Sequence, residues 1–170
     1  MSVGVKEHKH QAAGIGTIRY AQLTISDSRS VEEDRSGRLI QQLLNQAGHE
    51  LADYLLLPND AAKIQEEVKR LLGVDVDLLV TTGGTGLSPR DVTIEAIEPL
   101  LEKTLPGFGE LFRSLSYAEV GTSALMSRAL LGVAERKVVV CLPGSEGAVR
   151  LAVAKLLIPE LRHLVWVASR

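Results

Sequence analysis

Between residues 17 and 82 the chain alternates short apolar runs with stretches of helical spacing, and this alternation limits the fold more than any other feature. "TIRYAQLTIS" (17–26) reads as a first strand, followed by a polar, aperiodic loop over 27–35 at the strand's carboxyl end, where open α/β sheets place their ligands. Ser36 is a candidate N-cap for a helix with Leu39, Ile40, Leu43, Leu44 and Ala47 on one face, ending at Gly48. "HELADYLLLPND" (49–60) gives a second strand and a turn at Pro58. Asn59 or Asp60 can cap "AAKIQEEVKRLL" (61–72), whose Ile64, Val68, Leu71 and Leu72 share a face and whose Glu66 and Arg70 form an i,i+4 pair. "DVDLLV" (75–80) is a third strand. Strand and helix in strict alternation require parallel strands joined by right-handed crossovers, with helices on both faces. The expected class is therefore α/β, a three-layer, doubly wound, mostly parallel sheet.

Residues 92–101 begin like a helix, and Phe108, Leu111, Phe112 and Leu115 set a helical face within 105–121. "SALMSRALLGV" (123–133) fits helix or strand equally, "KVVVCLPG" (137–144) is a strand, and residues 145–168 are helical with a break expected near Pro159. With 170 residues, 45% of them hydrophobic, one domain over 15–170 is expected. Residues 1–14 read as a flexible arm or one that packs on a neighbour. His8 and His10 there lack the further ligands a metal site needs.

A net charge of −2 provides no broad basic face, so nucleic acid is not expected as a partner. No apolar stretch reaches the ~18 residues of a membrane span, and no apolar segment follows the basic N-terminal residues, so neither membrane nor export is expected and the location implied is the cytoplasm. The single cysteine, Cys141, lies inside an apolar run and reads as a core residue.

Chemistry concentrates in "TTGGTGLSPRD" (81–91), a glycine loop directly after the third strand. Gly83, Gly84 and Gly86 permit positive φ and let backbone N–H groups approach an anion, with Thr82, Thr85 and Arg90 as further donors. A helix expected to start near Ser88 or Pro89 would aim its positive end at the same space. The spelling excludes two common phosphate loops, since Leu87-Ser88 is not the Lys-Ser/Thr pair of a P-loop and Pro89 replaces the last small residue of a dinucleotide fingerprint. A tight turn at a sheet edge is the plainer alternative, but Arg90 and Asp91 beside the glycines suit a metal-phosphate site. Asp91 also completes a Ser-x-x-Asp capping box, and Asp60 is equally an N-cap. Ser26, Asp27 and Ser28 form either an Asx turn or a ligand contact. Pro143, Gly144 and Ser145 repeat the strand, glycine turn and helix-start pattern, with Ser145 the candidate cap.

"TISDSRS" with "DRSG" (24–37), "TTGGTGLSPRD", "LPGFGELFRSLSYAEVGTSALMSRALLGV" (105–133) and "VVVCLPGSEGAVRLA" (138–152) together resemble the MoaB/MogA family of molybdenum cofactor biosynthesis proteins, and the third of these resembles the MoaB branch more than MogA. The resemblance implies an extended, antiparallel segment within 123–133 at the sheet edge. It implies adenylyl transfer from ATP to the terminal phosphate of molybdopterin, with Asp60 and Asp91 as catalytic carboxylates holding Mg²⁺ against the phosphates. It places Pro106, Gly107, Phe108, Gly109, Glu110 and Ser123, with Pro143, Gly144 and Ser145, at the pterin. A homotrimer or hexamer, and other molybdenum cofactor enzymes as partners, are also implied. The alternative is a binding protein that keeps the same fold and pocket without catalysis.

Overall fold

A computed structural model describes Ala12 and residues 14–170, so the expected arm over 1–14, with His8 and His10, lies almost wholly outside the described residues. The strands are β1 (Arg19–Ile25), β2 (Glu50–Leu57), β3 (Leu78–Thr82), β4 (Lys103–Thr104), β5 (Leu130–Ala134) and β6 (Lys137–Leu142). The helices are α1 (Arg35–Gln46), α2 (Ala61–Leu72), α3 (Thr93–Ile97), α4 (Pro106–Val120), α5 (Glu146–Arg150) and α6 (Ile158–Ala168). All six strands form one sheet in the order β2-β1-β3-β6-β5-β4. The first four in that order are parallel to one another, and β5 runs antiparallel to both β6 and β4.

The period-two alternation of each central strand builds two cores. Tyr20, Leu78, Val80, Val138, Val140 and Leu142 face α1, α4 and the C-terminal helix, which contribute Leu39, Ile40, Leu44, Phe112 and Leu161. Ala21, Leu23, Ile25, Leu79, Val139 and Cys141 face Ile64, Val68 and Leu71 of α2 and Ala96 and Ile97 of α3. This is the three-layer arrangement expected.

Several local expectations are corrected. The segment 123–133 is split: Gly121–Met126 is a 3-10 turn, and only Leu130–Ala134 is extended. That antiparallel strand is one position in from the edge, because the two-residue β4 covers it. The cap of α1 is Asp34, whose carboxylate accepts from the Gly37 N–H at 2.8 Å; Ser36 instead donates to the Gly144 carbonyl at 2.7 Å. Arg70 pairs with Glu67 and Asp53 rather than with Glu66. The C-terminal helix does not break at Pro159. The chain passes from α5 through a π-helical stretch, Leu151–Leu157, into α6, and the wider turns just before Pro159 accommodate its missing N–H.

Candidate functional site

The strand order reverses direction at β1, since β2 lies on one side of it and β3 on the other. Ligand crevices of open α/β sheets lie at such switch points, beyond the carboxyl ends of the strands. A cleft of about 700 Å³ opens there. Its walls are the loops after β1 (residues 25–29), β2 (Asn59), β3 (83–86, with Ser88, Arg90 and Asp91) and β6 (143–145), and the Met126–Arg128 segment closes one side.

The glycine loop is shaped first by its own protein. Gly83 has φ +92° and a Cβ there would stand 2.2 Å from the Ile25 carbonyl oxygen. Gly84 has φ +62°, and a Cβ would meet Asn59 Oδ1 at 2.3 Å and Thr93 Oγ1 at 2.4 Å. Glycine is therefore required by close packing onto the β1 and β2 loops as well as by backbone conformation. Thr93 anchors the loop's first half: its hydroxyl donates to the Gly83 carbonyl at 2.8 Å and its N–H to the Gly84 carbonyl at 3.0 Å. Among the described residues, the N–H groups of Gly84, Thr85, Gly86 and Leu87 donate no hydrogen bond. Gly84, Thr85 and Gly86 are in the cleft wall, and successive free amides in a concave wall form the kind of nest that receives an anion.

No helix starts at Ser88 or Pro89. Asp91 N–H donates to the Ser88 carbonyl at 2.9 Å and Asp91 Oδ2 accepts from the Ser88 N–H at 3.2 Å, so half of the capping box forms as an isolated turn. Helix α3 begins only at Thr93. The loop's anion character therefore rests on its amides and nearby arginines, not on a helix dipole.

The structure brings Ser26, Asp27, Ser28, Gly83, Gly84, Thr85, Gly86, Arg90, Asp91, Pro143, Gly144 and Ser145 to one cleft. Ser26 Oγ accepts from the Arg29 N–H at 3.2 Å, so this residue forms the turn and lines the cleft at once. Asp27 Oδ1 accepts from the Asn59 N–H at 2.8 Å, tying the β1 loop to the β2 loop. In the lining Arg29 and Arg90 balance Asp27 and Asp91 in charge, and the third arginine, Arg128, is paired with Glu95.

Other expected positions lie elsewhere. Thr82 is fully buried and donates to the Pro143 carbonyl at 3.0 Å, joining the two glycine loops from beneath. Asp60 caps α2, Oδ1 accepting from the N–H groups of Ala62 and Lys63 at 3.0 and 3.2 Å, and does not line the cleft. Pro106, Gly107 and Glu110 are exposed in the first turn of α4, Phe108 and Gly109 are packed into the protein, and Ser123 is exposed in the 3-10 turn; none lines the cleft. Arg29 and Arg128 also line the cleft, though nothing in their local spelling distinguishes them from surface polar residues, and Asn59, from the sequence only a candidate helix cap, lines it too.

Residues 21–163 match the family model described as "Probable molybdopterin binding domain". The chain belongs to the MoaB/MogA family of molybdenum cofactor biosynthesis proteins. Molybdenum cofactor biosynthesis protein B of Bacillus cereus is 49% identical over 172 residues, covering 99% of each chain. A crystal structure of a molybdenum cofactor biosynthesis protein B has a TM-score of 0.87 and 48% identity, with 89% of this chain and 96% of that one covered. The crystal structure of the tungsten cofactor synthesizing protein MoaB from Pyrococcus furiosus has a TM-score of 0.84 and 34% identity, covering 92% of this chain and all of that one (100%). The family's molybdopterin-binding domain thus spans the sheet, both glycine loops and the cleft between them.

Proposed function

We propose that the cleft binds ATP by its phosphates and transfers the adenylyl group to the terminal phosphate of molybdopterin. The observation that carries this reading is the row of unpaired amides of the glycine loop, of which Gly84, Thr85 and Gly86 line the cleft together with Arg29 and Arg90. An oxygen of the pterin's terminal phosphate forms a bond to the α-phosphorus of ATP, the bond from that phosphorus to the bridging oxygen breaks, and pyrophosphate leaves with the electron pair. A phosphate nucleophile needs no strong base; it needs in-line placement and relief of charge repulsion, which the amides and arginines supply.

Among the described residues no group of three or more His, Cys, Asp or Glu side chains is placed to hold a metal. Mg²⁺ nevertheless fits, since it is commonly held by one or two carboxylates together with substrate phosphates, and Asp27 and Asp91 are the two carboxylates of the lining. When bound, the ion would neutralise charge on the phosphates. Asp27 replaces Asp60 in this role, because Asp60 lies outside the lining.

The second reading, a molybdopterin-binding protein without transferase activity, is favoured by that same placement of Asp60. Protein, molybdopterin, Mg²⁺ and ATP labelled at the α-phosphate separate the two. Transfer of label to the pterin supports the enzyme. Molybdopterin binding without transfer supports the binding protein.

A further inference from the structure

Arg128 sits on the connection between the 121–126 turn and β5, and its guanidinium is engaged on three sides. Nε donates to the Thr85 carbonyl at 2.8 Å and Nη2 to the Gly86 carbonyl at 2.7 Å. Nη1 donates to Glu95 Oε1 at 2.6 Å, and Nη2 also lies 3.3 Å from Glu95 Oε2. This forked pairing is available to arginine and not to lysine. The arginine holds the Glu95 carboxyl below its ordinary titration range.

A peptide unit is planar and trans, so each carbonyl points opposite to the N–H of the following residue. Holding the Thr85 and Gly86 carbonyls against Arg128 therefore turns the Gly86 and Leu87 N–H groups to the opposite side. Thr93 does the same for Gly84 and Thr85 by holding the carbonyls of Gly83 and Gly84. Four consecutive carbonyls are tied down, and four consecutive amides are left unpaired. A glycine-rich loop would otherwise lose this alignment to its own conformational freedom.

We propose that Arg128, braced by Glu95, is a positioning residue that pre-sets the second half of the glycine loop to receive phosphate. Its charge is already matched by Glu95, so its contribution passes through the loop's amides. The inference rests on the phosphate-binding role proposed above, and the test separates the two.

Amide NMR of the full chain without ligand, and calorimetric titration with MgATP and with inorganic pyrophosphate, are compared for wild type, Arg128→Ala, Arg128→Lys and Glu95→Gln. In Arg128→Ala the Gly86 and Leu87 amides are expected to lose order on the ps–ns timescale while core amides keep theirs. MgATP affinity is expected to fall about tenfold or more, equivalent to about 1.4 kcal/mol. Arg128→Lys and Glu95→Gln should fall between, and added ethylguanidinium should restore order and affinity to Arg128→Ala. A folded Arg128→Ala with wild-type loop order, or with lost order and unchanged affinity, overturns the proposal. If Arg128→Ala does not fold, Arg128→Lys decides it on the same two measurements. Wild type that binds neither MgATP nor pyrophosphate refutes the phosphate role, and ligand-free loop order then decides the clamp alone.

Discussion

Asp91 and Asp34 are both carboxylates that accept backbone N–H groups, but they differ in what surrounds them. Asp91 lines the cleft and closes a short turn with Ser88. In Asp91→Asn a side-chain oxygen can still accept that N–H, so stability should change by no more than about 1 kcal/mol. Adenylyl transfer should fall by orders of magnitude if the charge serves the phosphates and Mg²⁺. A melting curve and a single-turnover assay on the same sample check both halves, and full activity in the variant rejects the role. Asp34 is buried, with Thr24 Oγ1 donating to it at 2.6 Å and Tyr54 Oη at 2.7 Å. Burial first, and then the hydrogen bond to Asp34, push the Tyr54 phenol up to about 12. Burial likewise pushes Tyr20 up to about 12. The unfolded chain releases these protons near pH 10 while the folded one keeps them, so the stabilisation is whole below pH 10 and is lost as pH rises toward 12. Chemical denaturation should show that alkaline loss, and Tyr54→Phe should reduce it.

At the scale of elements, the loop after β3 and helix α4 show how packing selects among residues of similar type. Gly84→Val would place a branched side chain at φ +62° and against Asn59 and Thr93, so it should lower stability by about 1–3 kcal/mol in addition to weakening phosphate binding. A variant as stable as wild type in urea would show that the loop relaxes freely. On α4, Phe112 is fully buried in the core beneath the sheet, whereas Leu111 is 58% exposed one position away. Phe112→Ala should therefore cost about 3–5 kcal/mol. Leu111→Ala should change the stability of the isolated chain by no more than about 0.5 kcal/mol.

Across the whole molecule, Leu111, Leu115, Tyr117, Val120, Leu125 and Met126 expose apolar side chains on α4 and the 3-10 turn that follows it. Leu125 is 81% exposed, more than any other large hydrophobic residue described. So concentrated an apolar region suits self-association, and we propose the trimer that the family resemblance implies. Light scattering at micromolar concentration should report a trimer or a multiple of it, and Leu125→Asp with Leu111→Asp should yield a smaller species. A monomeric wild type rejects the proposal. Met126 also lines the cleft, so a second copy on this region would lie beside the ligand site. Among the described residues no helix is long and apolar enough to cross a membrane.

The sequence alone determined the α/β class, the parallel strands β1, β2, β3 and β6, the helices α1 and α2, and the presence of ligand loops at strand ends. These follow from period and from glycine placement, which are local properties of the chain. It also identified most of the cleft lining, because residues on loops after parallel strands share one end of the sheet. Three matters were left to the tertiary structure. Residues 121–134 divide into a 3-10 turn and a strand because β6 and β4 supply partners only for Leu130–Ala134. Asp60 and Asp91 appear alike as carboxylates near helix starts, yet only Asp91 reaches the cleft, since Asp60 turns back onto the N–H groups of α2. Arg128 is distant from the glycine loop along the chain and meets it only because β5 runs antiparallel beside β6, which returns the start of β5 to the carboxyl end of the parallel strands. Contacts between segments far apart in the chain have no period or spacing to announce them, so they exist as information only once the sheet order is set.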